Sequence, residues 1–215
     1  MNYKSILSLY YSVMKKFSFI SKILFVSLLS LNVYSITKAE GGYMFGGLKL
    51  FNYGIETQDL QALNTSIVNL GFSSSTSSTD NTGVGFDVGV GVNLTENFAF
   101  EGGYVNYGTL EINTTTTGPT ESILLEIDGT GFTGAGVVKL GEDEDHAFLK
   151  AGFHTWDFKG KVTTSLGSST EALGTGTDAF FSVGFKSAGW YTSYDHYIID
   201  DGDIGSLNFG FSAKF

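Results

Sequence analysis

Three histidines, His146, His154 and His196, and a scatter of acids and lysines are the residues of this chain whose types could do chemistry. Asp195 and His196 are adjacent, an acid beside an imidazole. On an extended strand neighbours point to opposite faces, so these two cannot form a dyad with each other. His154 is expected to point into the fold and His146 to sit in a turn, and no third partner completes a nucleophile–base–orienter set for any of the three. Gly129-Thr130-Gly131-Phe132-Thr133-Gly134 matches G-x-G-x-x-G. A dinucleotide site also needs a helix after the motif, with its N-terminus on the phosphates, whereas Ala135 to Leu140 reads as strand. Asp200, Asp201 and Asp203 crowd one segment at a spacing that is not an EF-hand loop, so a solvated acidic turn is expected rather than a cation site. The chain has no Cys, which excludes a disulfide framework and a thiolate metal site. No catalytic set, cofactor or metal is expected.

The elements that must position these residues are strands. In Gly83 to Leu94 the even positions are Val84, Phe86, Val88, Val90, Val92 and Leu94, and the odd positions are mostly glycine. One face is greasy and the other tiny or polar. A sandwich strand would carry larger polar groups outside. A face of glycine suits a crowded barrel lumen, with the apolar face turned to lipid. The alternation recurs. Phe98, Phe100 and Tyr104 oppose Ala99, Glu101 and Gly103; Phe132, Val138 and Leu140 oppose Thr133 and Lys139. Leu149, Ala151 and Phe153 oppose Lys150, Gly152 and His154; Ala179, Phe181, Val183 and Phe185 oppose Asp178, Ser182 and Lys186. Leu207, Phe209, Phe211, Ala213 and Phe215 oppose Ser206, Asn208, Gly210, Ser212 and Lys214. Trp190 to Ile198 reads as a strand with mixed faces. Gly42 to Asn52 is a strand whose inward face stays open: Lys49, Leu48 and Leu50 favour odd positions inside, and Tyr43, Phe45 and Phe51 pull the other way.

Eight strands result. Short links fall at Thr95-Glu96-Asn97, Gly141 to His146 and Ser187-Ala188-Gly189, and long ones rich in Ser, Thr and Gly at Tyr53 to Thr82, Asn113 to Ser122 and Lys159 to Thr177. Short periplasmic turns and long outer loops are the layout of an outer-membrane barrel. The run Ser73 to Thr79 reads as a mobile loop tip, and the link Ile199 to Asp203 is short for an outer loop. The expected fold is all-β: a transmembrane antiparallel up-and-down β-barrel of eight strands over residues 40–215.

Residues 1–39 read as a secretory signal peptide. Met14-Lys15-Lys16 opens a positive region, Ile23 to Val33 is a short apolar run, and Thr37-Lys38-Ala39 offers small residues before a cut at Glu40. The run is too short to span ~30 Å of hydrocarbon. A cut after Ser35 is the alternative, and Met14 is a second candidate start. The formal net charge of −10 argues against a nucleic-acid partner, which needs a basic footprint.

Within such a barrel the charges find their chemistry in one another. Glu101, Lys139 and Lys150 lie near the short turns on neighbouring strands, and alternation points all three inward. A lone charge in a narrow lumen is poorly solvated, and paired charges satisfy one another. Glu101 is expected to bridge Lys139, with Lys150 beside them and Asp87, Lys186 and Asp195 extending the network.

Phe100-Glu101-Gly102-Gly103-Tyr104, Lys139-Leu140-Gly141, Lys150-Ala151-Gly152 followed by Trp156-Asp157, and the C-terminal Ser206 to Phe215 resemble the OmpA-like transmembrane barrels over about residues 40–215. The resemblance implies an eight-stranded barrel with a charged lumen, inserted by the barrel-assembly machinery through a C-terminal aromatic strand. Phe209, Phe211 and Phe215 are the assembly signal on that reading. The family often carries an acid on strand six and an arginine on strand seven at lumen positions; here Lys186 and Ser193 stand there, and no peptidoglycan-binding domain follows. A non-enzymatic, monomeric outer-membrane protein is expected, with outer-membrane lipid and lipopolysaccharide around it. Its role would be structural or one of surface display. The alternatives are a lipid-modifying barrel enzyme, as some barrels are, and a narrow ion-conducting pore.

Overall fold

A computed structural model describes residues 41–118, 120–141, 145–199 and 202–215. The expected signal peptide and its cleavage sites lie outside the described residues, as do Asp200 and Asp201.

The strands are β1 (Gly42–Asn52), β2 (Ser74–Thr79), β3 (Thr82–Thr95), β4 (Phe98–Thr117), β5 (Glu121–Gly141), β6 (His146–Thr164), β7 (Gly167–Ser187), β8 (Trp190–Ile199) and β9 (Gly202–Lys214). One helix, α1 (Thr57–Asn69), lies between β1 and β2. The pairing order β4-β3-β1-β9-β8-β7-β6-β5 returns to β4, so eight antiparallel strands close a ring; β2 is a ninth, paired only with β4. Closure satisfies every strand edge of the ring and leaves none open to lipid. The outer face is a continuous apolar surface: Met44, Leu48, Leu50, Val84, Val88, Val90, Phe132, Phe153, Val183 and Leu207 are all exposed. That is the exterior of a barrel whose solvent is a bilayer.

Register explains the glycine face of β3. Tyr43 stands opposite Gly91, Phe45 opposite Gly89, and Lys49 opposite Gly85. A Cβ on Gly91 would lie 2.2 Å from the Tyr43 ring, and one on Gly89 2.4 Å from the Phe45 ring. The glycines are the floor on which the β1 side chains lie. This settles the face of β1: Tyr43, Lys49 and Phe51 are buried inward. The tight connection between β7 and β8 places Ala188 (φ 47°) and Gly189 (φ 86°) in the left-handed region, the geometry of a two-residue hairpin whose twist matches its strands.

The other end of the barrel departs from expectation. Asn113 to Ser122 and Lys159 to Thr177 are not irregular loops. They are the tops of the β4–β5 and β6–β7 hairpins, paired up to Thr116↔Glu121 and Thr164↔Gly167. Ser73 to Thr79 is likewise not a loop tip, because β2 runs along β4 from Ser74↔Thr117 to Thr79↔Ile112. Ser/Thr-rich composition masked these strands, since hydroxyl residues suit an exposed sheet as well as a loop. The helix was also missed. The Glu56 N–H donates to the Asp59 carboxylate at 2.8 Å at its start, and it buries Leu63 and Ile67 against Leu110, Ile112, Ile123, Leu125 and Val162. Asn81 (φ 53°) turns the chain into β3; its side chain accepts from the Ile55 N–H at 3.0 Å and donates to the Ile55 carbonyl at 3.1 Å.

Two irregularities connect the halves. In β4, Tyr107 is an extra residue between Asn106↔Thr130 and Gly108↔Gly129. Gly108 takes φ 75°, and a Cβ there would lie 2.6 Å from the Val84 carbonyl. In β7, Leu173 is extra between Phe158↔Gly174 and Lys159↔Ala172. Below each bulge one parity faces inward, and above it the other does. Gly129 to Gly134 lies within β5, and strand, not helix, follows it.

Candidate functional site in the barrel lumen

The lumen is filled in three tiers. The middle tier is centred on Lys49, which is 0% exposed. Its ammonium donates to the Asp195 carboxylate and lies 3.4 Å from Asp87 Oδ2. Asp195 Oδ1 also accepts from Ser193 Oγ at 2.9 Å. Asp87 accepts from Asn208 Nδ2 at 3.2 Å and from Tyr191 Oη at 3.3 Å. β1, β3, β8 and β9 each supply members, so this tier clamps the ring where the chain's first and last strands meet. One cation between two carboxylates, each with further donors, is how buried charge is tolerated.

The second tier lies at the short-turn end. Glu101 accepts from Tyr43 Oη at 2.7 Å on one oxygen and from Lys150 Nζ at 2.6 Å on the other. Lys150 also sits over the rings of Phe148 (4.9 Å), Phe45 (5.1 Å) and Tyr191 (5.7 Å). The expected Glu101–Lys139 bridge is replaced by Glu101–Lys150. Lys139 instead donates to Asn93 Oδ1 at 2.5 Å and lies 5.9 Å from the centre of the Tyr43 ring. The reason is depth. Lys139 stands opposite Phe148 and Lys150 opposite Val137, one inward position deeper and so nearer to Ala135, the strand partner of Glu101. Lys186 lies 5.5 Å from the Tyr43 ring. The six expected residues therefore fall into two groups: Asp87 and Asp195 on Lys49, and Glu101, Lys139, Lys150 and Lys186 at the turn end. Tyr191 stands between them, bonded to Asp87 and stacked by Lys150. Lys49 was missed because the face of β1 was open; a single lysine in an apolar strand was the available signal.

The third tier, toward the helix, is aromatic. Phe51, Tyr107, Trp156, Phe158, Phe180 and Tyr197 form one cluster. His154 lies inside it at 1% exposure. Its Nε2 is 2.7 Å from the Ile198 carbonyl, which only accepts, so the neutral ring carries its proton there and Nδ1 accepts from Tyr107 Oη at 2.6 Å. His146 is not in a turn but is the first residue of β6, and it is buried. His196 faces away from the lumen, with Nε2 3.6 Å from Asp203 Oδ2. Trp156 Nε1 donates to Asp178 at 2.8 Å. Above this tier, α1 packs Leu63 and Ile67 on the upper parts of β4, β5 and β6.

On the last strand Phe209 and Phe211 point outward, and the Phe215 N–H donates to the Gly42 carbonyl at 3.0 Å, so the C-terminus closes onto the first residue of β1.

No family model matches the chain, and no curated protein matches it. Among solved structures it is similar to Ail, the attachment invasion locus protein of Yersinia pestis, solved in complex with the heparin analogue sucrose octasulfate. Identity is 13% over 82% of this chain and 99% of that one, at a TM-score of 0.49. It is similar to the N-terminal β-barrel domain of Pseudomonas aeruginosa OprF at 11% identity, 82% and 100% coverage and TM-score 0.43. The outer membrane protein OprG of the same species gives 8% identity, 83% and 98% coverage and TM-score 0.48. The resemblance to OmpA-like barrels read from the sequence is met in this chain's own register, which closes a ring of eight antiparallel strands.

Proposed function

We propose that this chain is an exported, integral outer-membrane barrel that is non-enzymatic, monomeric and closed to solutes, and that it braces the membrane and displays the surface built by its tall hairpins and α1. The observation that carries this reading is the filled lumen. The Lys49–Asp195–Asp87 clamp and the aromatic tier around Tyr107 lie in series within the ring. An eight-stranded interior is just wide enough for side chains to fill. The outward apolar belt supports a lipid setting, and the paired top hairpins support display, since rigid sheets present a surface better than loose loops. The engagement of both His154 nitrogens at a buried position supports a structural imidazole over a catalytic one. Insertion by the barrel-assembly machinery would use the outward Phe209 and Phe211 and the terminal Phe215, in lipid shared with lipopolysaccharide.

Planar-bilayer recording of the purified protein tests closure. Silence at moderate voltage fits the reading, and steady single-channel current would establish the narrow pore instead. A knockout strain should gain sensitivity to detergent. The heparin analogue bound by Ail is not carried over as a ligand. The loop end here bears Glu56, Asp59, Asp80, Glu111, Glu121, Glu126, Asp128, Asp157, Glu171, Asp178 and Asp203 against Lys159 and Lys161, a field that repels polyanions.

A further inference from the structure

The ring is tall on one side and short on the other. β4 rises to Thr117 and β7 begins at Gly167, whereas β1 ends at Asn52, β3 begins at Thr82 and β8 ends at Ile199. Register aligns the outward residues of the short strands into level rows. Tyr194, Leu207, Leu50 and Val84 stand side by side across β8, β9, β1 and β3. The next outward row toward the loop end is His196, Gly205, Asn52 and Thr82. The first row is the upper edge of the apolar belt, and all four of its residues are exposed. Beyond the second row come Asp203 from the β8–β9 hairpin, Asp80 from the turn into β3, and Glu111 from β4.

Both rows and the three acids line one concavity of about 1020 Å³ on the outer wall, at the upper end of the ~300–1,000 Å³ range of ligand pockets. Its chemistry is ordered along the barrel axis. The floor is apolar. The middle offers neutral donors. A Cβ on Gly205 would lie 2.8 Å from Tyr194 Oη, so Tyr194 reaches from the apolar row into the polar one, as interfacial tyrosines do. Asn52 Oδ1 already accepts from the Gly54 N–H at 2.9 Å, which leaves its amide N–H groups to donate beside the Thr82 hydroxyl. The rim is acidic, and no lysine occurs among the described residues that line the space. Asp203 has only the His196 imidazole near it, 3.6 Å away, and the two remaining residues of that hairpin, Asp200 and Asp201, are acids as well.

We infer that this concavity is a site for one phospholipid with an ethanolamine head group. Its chains lie on Leu50, Val84 and Leu207, its phosphate accepts from Tyr194, Asn52 and Thr82, and its ammonium meets Asp80, Glu111 and Asp203. The sequence apolar row, neutral donors, acidic rim is the order of that lipid from chain to head. Its primary ammonium brings three N–H donors to three carboxylates. A choline head carries the charge without those donors, and a glycerol head carries no cation at all. The site rests on the lipid setting proposed above and adds to it a class of bound lipid.

The test inserts the full barrel into phosphatidylcholine discs, releases it into detergent, and titrates it with phosphatidylethanolamine, phosphatidylcholine and phosphatidylglycerol of identical chains, read by native mass spectrometry. One phosphatidylethanolamine should bind roughly tenfold more tightly than either of the others, the yield of a few partly solvated ion pairs. Asp80→Asn, Glu111→Gln and Asp203→Asn should each weaken it about threefold, and the triple variant should abolish the preference. Asp157→Asn, on the outer face of β6, should leave it unchanged. Heat-modifiability shows that each variant is folded. The inference is overturned if phosphatidylcholine or phosphatidylglycerol binds as well as phosphatidylethanolamine, if the triple variant keeps the preference, or if Asp157→Asn weakens binding as much as Asp203→Asn. Failure to enter the discs would overturn the lipid setting together with this site, whereas an inserted barrel without head-group preference overturns the site alone.

Discussion

The Lys150 ammonium lies 2.6 Å from the Glu101 carboxylate, while Lys139, two residues from the same turn and on the neighbouring strand, is held by Asn93. Both lysines point inward; a difference of one inward position decides which of them meets the Glu101 carboxylate. In a double-mutant cycle by urea titration in lipid vesicles, Glu101→Gln with Lys150→Met should show a coupling of about 1.5–3 kcal/mol, the range for a hydrogen bond to a charged group. Glu101→Gln with Lys139→Met should show well under half of that. Equal couplings would mean that the carboxylate is shared.

Lys49 is the member whose loss should cost most. Lys49→Met leaves Asp87 and Asp195 facing one another without their cation, and breaking a buried pair this way typically costs about 3–5 kcal/mol. Adding Asp195→Asn removes one of the stranded charges and should restore a good part of the stability. The same vesicle titration measures both, and a double variant no more stable than Lys49→Met would refute the clamp.

Val90 stands on the outer face, 56% exposed, midway along β3. Val90→Arg should cost ~2–4 kcal/mol, the penalty for a cation on the lipid face near the midplane. Val90→Leu should be close to neutral. Equal tolerance of the two would place this surface in water.

At the top of the β4–β5 hairpin the Glu121 carboxylate accepts from the Ser165 hydroxyl at 2.6 Å and from its N–H at 2.9 Å. These bonds hold the Glu121 carboxyl below its usual range, because they favour the charged form. A carboxyl depressed in the folded state stabilises fully above its unfolded pKa, and loses that contribution as pH falls through the lower folded value. The link between the two hairpins should therefore persist at neutral pH and loosen only below the ordinary Glu range, near pH 4. Carbon-detected NMR titration should find Glu121 shifted down, and Ser165→Ala should raise it.

The ring was legible wherever alternation was clean. Val84 to Val92, Phe181 to Phe185 and Leu207 to Phe211 announced an apolar outside, and they are outside. The face of β1 was not legible, because aromatics occur both in lumens and on lipid faces. Only the pairing of Tyr43 with Gly91 and Phe45 with Gly89 decides it, and register is a relation between strands that no single strand contains. The tops of β4 to β7 read as loops because their outward residues are polar, Thr115, Ser122, Ser168 and Thr170 beside Glu111, Glu126, Lys159 and Lys161, and because Tyr107 and Leu173 each shift the period midway. Among the charges, inward direction was readable for Glu101, Lys139 and Lys150, but depth was not. Depth depends on stagger around the ring, which set the partner of Glu101.

The extra residues Tyr107 and Leu173 also divide the molecule into two frames that are read separately. Below them, one parity of β4 packs Ala99, Glu101 and Val105 into the lumen; above, the other parity packs Leu110 and Ile112 beneath the helix. Deleting Tyr107 would let Gly108 follow Asn106 in unbroken alternation, so Leu110 and Ile112 would still face the helix, and the cost would fall on the aromatic tier that loses its ring. Between the two bulges the upper hairpins can be lengthened, shortened or replaced as a unit, each graft keeping its own phase, while the lipid-facing ring is copied unchanged. The bulges are thus the natural splice points of the chain, the places where a new exterior could be fitted to an old barrel.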